Sequence, residues 1–238
     1  MLLVDDHPIL SEGVAQRING EPDLAVCAQA PNAPAALEAI ETYQPDLAII
    51  DISLTGTSGI ELLKDIQVRF PKLPVLVLSM HDEKLYAERC LRAGARAYLM
   101  KQERPEVLIR AIRQVLRGQI YLSERITTSI VNRIGGQVPK GEISSPVLDL
   151  SDRALEIFQW MGEGFGTREI AKRLHLSVKT VASHREHIKQ KLNLQTGEEL
   201  IRFAIHWGRY DNENAGPTKA EAAPIPAANK RKLAARKR

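Results

Sequence analysis

The 238-residue chain has two cysteines, few aromatic residues and no apolar run near the roughly 20 residues that a membrane span requires. Cys27 and Cys90 lie far apart and lack CxxC or Cys/His ligand spacing, which excludes a disulfide framework or a zinc knuckle and leaves reduced packing residues. Met1 leads through Leu2, Leu3 and Val4 directly to Asp5, a start unlike a signal peptide, so a cytoplasmic location without membrane contact is expected. Strand one would then begin at Met1 itself.

Hydrophobic residues at 44% and charged residues at 26% fit a folded globular chain. The length suffices for an α/β unit and a smaller second domain. The net charge of +4 is uneven: residues 1–118 carry 13 basic and 16 acidic side chains, and residues 119–238 carry 20 and 13. An acidic half joined to a basic half suggests that the second meets a polyanion, though charge says nothing of sequence-specific recognition.

Up to residue 118, short apolar runs alternate with amphipathic stretches. Strands are predicted at 1–4, 24–29, 47–51, 75–79 and 97–100, and helices at 8–19, 34–43, 59–70, 83–93 and 104–118. Runs such as Leu47-Ala48-Ile49-Ile50 are apolar throughout, as in parallel strands covered on both faces. The fold class is therefore α/β, a doubly wound five-stranded parallel sheet (1–118). Residues 119–149 read as a linker with a possible helix at 123–134. Residues 150–209 read as a small all-α domain of about four helices, and 210–238 as a disordered basic tail.

In a doubly wound sheet the carboxyl ends of the strands converge. Asp5 and Asp6 end strand one, Asp51 ends strand three, Ser79 ends strand four, and Lys101 follows strand five. Crowded carboxylates call for a cation, and an all-oxygen set suits Mg²⁺. With a cation present, Asp51 can act as nucleophile toward a phosphoryl group, Lys101 can neutralise its oxygens and Ser79 can donate a hydrogen bond. Taken singly, each residue also reads as a helix cap or a solvated surface group.

Leu3-Val4-Asp5-Asp6-His7-Pro8, Asp51-Ile52-Ser53-Leu54 with Gly59, Leu78-Ser79, and Gly94-Ala95 leading to Ala97-Tyr98-Leu99-Met100-Lys101 resemble the CheY-like receiver of two-component response regulators, in particular the NarL/FixJ class. The resemblance implies that Asp51 is the phosphoacceptor. It implies that Asp6, Asp51 and the Ser53 carbonyl bind Mg²⁺ with Asp5 supporting through water, and that Ser79, Tyr98 and Lys101 form the switch. In that switch the Tyr98 ring would move inward on phosphorylation. Thr55 stands where the family usually has Pro.

In the second domain Ser151, Thr167 and Ser177 are predicted helix caps, and Leu174-His175-Leu176-Ser177 has the length of a helix-turn-helix elbow. Val181, Ile188 and Leu192 should face the core and Lys179, Ala182, Ser183 and Glu186 should face outward. Ser183 and Glu186 suit base edges, while Lys179, Thr180, His184 and Lys189 suit phosphates. Gly164-x-x-Thr167-x-Glu169-Ile170-Ala171 and Leu176-Ser177-Val178-Lys179-Thr180-Val181-x-x-His184 resemble the LuxR-type helix-turn-helix, which adds Thr167 to the expected DNA-binding residues. Ala154 departs from the family's usual Glu, which would complete a capping box with Ser151. Leu200, Ile201, Ala204 and Ile205 of the last helix serve either packing or dimerisation.

Together these resemblances imply a non-enzymatic transcription regulator limited to self-phosphorylation from phosphodonors and autodephosphorylation. Its partners would be a sensor histidine kinase, double-stranded promoter DNA, a second copy upon phosphorylation and, as a further candidate, RNA polymerase. The alternatives are a DNA binder that ignores phosphate and a phosphate-sink receiver with vestigial DNA binding.

Overall fold

The structure, a computed structural model, describes residues 1–54, 57–134 and 146–213. Strands β1 (Leu2–Val4), β2 (Ala28–Ala30), β3 (Ala48–Ile50), β4 (Val75–Ser79) and β5 (Ala97–Met100) form one parallel sheet in the order β2-β1-β3-β4-β5. Helices α1 (Pro8–Asn19), α2 (Ala33–Tyr43), α3 (Gly59–Arg69), α4 (Glu83–Arg92) and α5 (Pro105–Leu116) connect the strands. Alternate residues divide between the faces, because successive side chains of a strand point oppositely. Leu3, Ile49, Leu76 and Leu99 pack with residues of α1 and α5, whereas Leu2, Ile50 and Val77 join those of α2, α3 and α4. With both faces covered, no polar alternation is needed, hence the continuous apolar runs.

Local chemistry sets the helix starts. Asn32 Oδ1 accepts from Ala35 N, Ser58 Oγ from Ile60 N and Asp82 Oδ1 from Lys84 N. Pro8 and Pro105 stand where a missing N–H costs nothing. The second strand is shorter than the apolar run from Leu24 predicts. A turn joins Leu24 N to the Glu21 carbonyl, and Leu24 is buried without belonging to the ladder. Apolar character there marks burial, not pairing.

Helix α6 (Glu124–Ile134) follows the receiver-like unit. After a 3₁₀ turn at Pro146–Asp149 come α7 (Asp152–Gly162), α8 (Thr167–Arg173), α9 (Val178–Lys191) and α10 (Gly197–Glu213). Helices α7 and α10 cross closely at Gly162, where a Cβ would lie 2.7 Å from the Ala204 carbonyl oxygen. Helix α10 runs to Glu213, past Arg209 where the helical pattern was expected to stop; between Arg209 and Gly216-Pro217 the sequence has no Gly or Pro. The expected turn-rich linker around Pro139, Thr55 and the basic run at 230–238 lie outside the described residues.

The two units are docked. Helix α7 lies against α3 and α4: Asp152 pairs with Lys64 at 2.8 Å and Arg89 at 3.0 Å, and Arg89 also donates to the Leu150 carbonyl at 2.7 Å. Tyr86 Oη donates to Gln159 Oε1 at 2.8 Å. A single apolar cluster runs from the α2–α4 face of the sheet into the helical domain, where it includes Leu155, Phe158 and Ile170.

Candidate phosphoacceptor site and nucleic-acid interface

The strand ends bring Asp5, Asp6, Asp51, Ser79 and Lys101 together. Lys101 Nζ lies 2.7 Å from Asp5 Oδ2 and 2.8 Å from Asp51 Oδ2, and all three side chains are 3% exposed. Burial works against the charged ammonium, but Asp51 and Asp5 outweigh it, and the Lys101 pKa is raised. Lys101, expected to neutralise phosphoryl oxygens, is thus also paired with the carboxylates themselves.

The second oxygen of Asp51, Oδ1, is buried and makes no hydrogen bond. A buried acceptor left unmatched is costly, so this atom marks where an incoming positive or phosphoryl group would be held. Ligand atoms, one each from Asp5, Asp6, His7 and Asp51, lie within 4.8 Å of one another, comparable to the roughly 4 Å between opposite ligands of an octahedral Mg²⁺. The oxygen donors fit a hard cation. The imidazole is an addition to the expected set: His7 Nδ1 lies 2.8 Å from Asp6 Oδ1 and 3.2 Å from Asp5 Oδ1.

Gly59 is what allows α3 to start against this loop. A Cβ there would lie 2.0 Å from the Asp51 carbonyl oxygen, so only glycine permits the approach. Ser79 is fully buried. The Tyr98 ring lies inside, 1% exposed, and its hydroxyl donates to the His81 carbonyl at 2.8 Å. This carbonyl and the surrounding apolar cluster satisfy the side chain in that position.

His81 was not foreseen. Its backbone N–H donates to Ser79 Oγ at 3.2 Å, and its Nε2 lies 2.7 Å from Ser53 Oγ. Its ring stacks on Tyr86 with centroids 4.7 Å apart. Burial lowers its pKa, partly opposed by Asp51 and reinforced by Lys101. A histidine two residues beyond a strand end carries no periodic signal.

In the helical domain Ser177 Oγ accepts from Thr180 N, so α9 starts as predicted, and Ser151 accepts from Ala154 N. Thr167 is not the cap of α8. Gly166 is, with its N–H donating to Glu169 Oε2, while Thr167 Oγ1 accepts from Arg185. His175 takes the elbow in the left-handed region at φ 52°. Val181 and Ile188 are buried and Leu192 half-buried, which leaves Lys179, Ala182, Ser183 and Glu186 exposed along α9. Glu186 pairs with Lys189 at 2.6 Å; such exposed pairs are worth about 0–1 kcal/mol and separate readily for other partners. His184 is half-buried and its pKa is lowered, first by burial and then by Arg153 and His187, so near pH 7 it offers a neutral N–H. Leu200 and Ala204 are buried in the domain core, and Ile201 is exposed. Among the described residues no helix is long and apolar enough to cross a membrane.

These two units define a receiver-type α/β domain coupled to a helix-turn-helix module. Residues 1–113 match the response regulator receiver domain, and residues 148–204 match the bacterial regulatory proteins of the luxR family. The oxygen regulatory protein NreC of Staphylococcus epidermidis is 36% identical over 209 residues, spanning 86% of this chain and 96% of that protein. NreC of Staphylococcus carnosus is similar at 36% over 208 residues. A LuxR-family response regulator from Aurantimonas sp. SI85-9A1 superposes with a TM-score of 0.53 at 33% identity, over 56% of this chain and 96% of that one. RcsB of Salmonella typhimurium shares the fold, with a TM-score of 0.62 at 23% identity over 86% of this chain and 96% of its own. The chain belongs to the two-component response regulators that join a receiver to a LuxR-type DNA-binding domain.

Proposed function

We propose that Asp51 accepts a phosphoryl group from a sensor histidine kinase and that this controls how α9 engages promoter DNA in the cytoplasm. The reading rests above all on the buried, unmatched Oδ1 of Asp51 beside the Lys101 clamp. A carboxylate needs no general base. An Asp51 oxygen attacks phosphorus, the P–N bond of the donor phosphohistidine breaks, and its electron pair returns to the imidazole. An open cavity of about 600 Å³ between α1 and α5 reaches Asp6, His7 and Lys101 at the edge of the acid pocket, a surface on which a donor domain could dock. When bound, Mg²⁺ supplies neutralisation of the phosphoryl oxygens. Asp6, Asp51 and the Ser53 carbonyl would hold it, with Asp5 supporting, while Lys101 orients the remaining charge and Ser79 donates to a phosphoryl oxygen. Small phosphodonors would serve as well, and hydrolysis of the acyl phosphate would reset the protein.

On DNA, Ala182, Ser183 and Glu186 face base edges and Thr167, Lys179, Thr180, His184 and Lys189 face phosphates, with dimers on paired half-sites. RcsB of Salmonella enterica serovar Typhimurium was solved bound to promoter P1flhDC with phosphomimetic BeF3⁻, the arrangement proposed for this chain. RNA polymerase would be a later partner. The test is incubation with radiolabelled acetyl phosphate and Mg²⁺: label should enter the wild type and not Asp51→Asn, and equal labelling of both would remove Asp51 from the role.

One observation favours a second reading. Lys179, Ala182, Ser183 and Glu186 of α9 are exposed while the two units are docked, an arrangement that suits DNA binding without prior uncovering by phosphate.

A further inference from the structure

Between the acid pocket and the DNA-binding domain stands one residue with four separate attachments. The His81 backbone N–H holds Ser79 Oγ, and its carbonyl holds the Tyr98 hydroxyl. Its Nε2 is bonded to Ser53 Oγ, and its ring lies on Tyr86 at 4.7 Å. Tyr86 in turn donates its hydroxyl to Gln159 of α7, across the domain boundary. We propose that His81 is the positioning residue that carries the state of Asp51 to the DNA-binding domain, through Tyr86 to Gln159. The inference rests on the phosphoacceptor reading above.

The side chains along this path have little freedom to move independently. Ser79 is wholly buried, so its hydroxyl can reach a phosphoryl group on Asp51 only by a local shift. A serine hydroxyl has one donor and two lone pairs, so Ser79 can donate to the phosphoryl oxygen while still accepting from His81 N–H. His81 is therefore drawn along. Its ring is anchored on Ser53 at one edge and on Tyr86 at its face, so the shift either rotates the ring off Tyr86 or moves Tyr86 with it. Tyr86 is 1% exposed and hydrogen-bonded at its far end to Gln159. A close-packed chain of this kind has few intermediate arrangements and passes displacement on rather than absorbing it. The same face carries the Asp152 pairs with Lys64 and Arg89, so α7 is the part of the DNA-binding domain that feels the change.

The test uses the full-length chain, beryllofluoride with Mg²⁺ as phosphoryl mimic, and a DNA duplex selected from a random pool by the wild type. The quantity read is the gain in duplex affinity on adding the mimic. His81→Phe keeps an aromatic face for Tyr86 and removes the bond to Ser53; Gln159→Leu removes the far end of the relay from the other domain. Allosteric couplings commonly amount to 5–150-fold, so each variant should lose at least about fivefold of the gain. Labelling of Asp51 by acetyl phosphate should persist in both, which a general collapse of the pocket would not allow. The double variant should lose no more than the single ones. Full gain in His81→Phe, or losses that multiply in the double variant, would overturn the relay. If the wild type itself labels on Asp51 but shows no gain, phosphate control of DNA binding fails and the relay with it; a gain in the wild type that His81→Phe retains sinks the relay alone.

Discussion

Replacing Lys101 by methionine keeps the length of the side chain and deletes its charge. In the wild type one buried ammonium satisfies Asp5 and Asp51 at 2.7 and 2.8 Å. Its removal strands two carboxylates, each 3% exposed, beside Asp6. Breaking a buried ion pair by deleting one partner costs about 3–5 kcal/mol. At roughly 4 °C or more per kcal/mol for a domain of receiver size, thermal unfolding should fall by about 10 °C or more. Added Mg²⁺ replaces the missing positive charge, so the variant should recover more stability with metal than the wild type gains. At a hundredfold excess over Kd, binding alone returns about 2.7 kcal/mol. The assay is differential scanning calorimetry of both proteins with Mg²⁺ and with a chelator. A Lys101→Met protein that melts with the wild type in chelator, or that gains no more from Mg²⁺, would refute the view that Lys101 balances these carboxylates.

Further outcomes follow from other sites. Gly59→Ala drives a Cβ to 2.0 Å from the Asp51 carbonyl oxygen and should cost about 1–3 kcal/mol, with slower labelling from acetyl phosphate, as calorimetry and radiolabel uptake would show. Burial raises the Glu156 pKa above its ordinary 4.5 despite the opposing Arg153. An acid whose folded pKa is raised favours the fold below its unfolded pKa and loses that contribution as pH rises through the folded value. Stability should therefore decline over the range just above pH 4.5, and Glu156→Gln should flatten that decline in urea titrations. Asp152 has the opposite sign: burial opposes ionisation, but Lys64 and Arg89 prevail and lower its pKa. Its contribution is present above pH 3.8 and is lost as pH falls below it, so Asp152→Asn should mimic acid at neutral pH by loosening the docking of α7, seen as separate unfolding of the two domains. Lys179→Ala should reduce the salt slope of DNA binding by about one, whereas Ser183→Ala should relax preference at a base position without changing that slope.

Much of this was legible in the chain because the relevant signals are local. Apolar runs marked β4 and β5 at their observed limits, and Ser151 and Ser177 announced their helices through side-chain oxygens. Asp5, Asp6, Asp51, Ser79 and Lys101 could be grouped because parallel topology gathers the carboxyl ends of strands on one edge. What escaped was tertiary. Asp152 reads as an acidic residue favoured at a helix start, and only docking shows that it also neutralises Lys64 and Arg89. Thr167 has the side chain of a cap, yet the Glu169 carboxylate fills that role from within the helix. The inward Tyr98 depends on the His81 carbonyl, an acceptor that no residue pattern reveals.

The most direct test of the account is the affinity of wild type and Asp51→Asn for the selected duplex, each with and without acetyl phosphate and Mg²⁺. Tighter binding with phosphodonor in the wild type alone is the predicted result. Equal binding in all four conditions would contradict it and leave a DNA-binding protein indifferent to its acidic pocket.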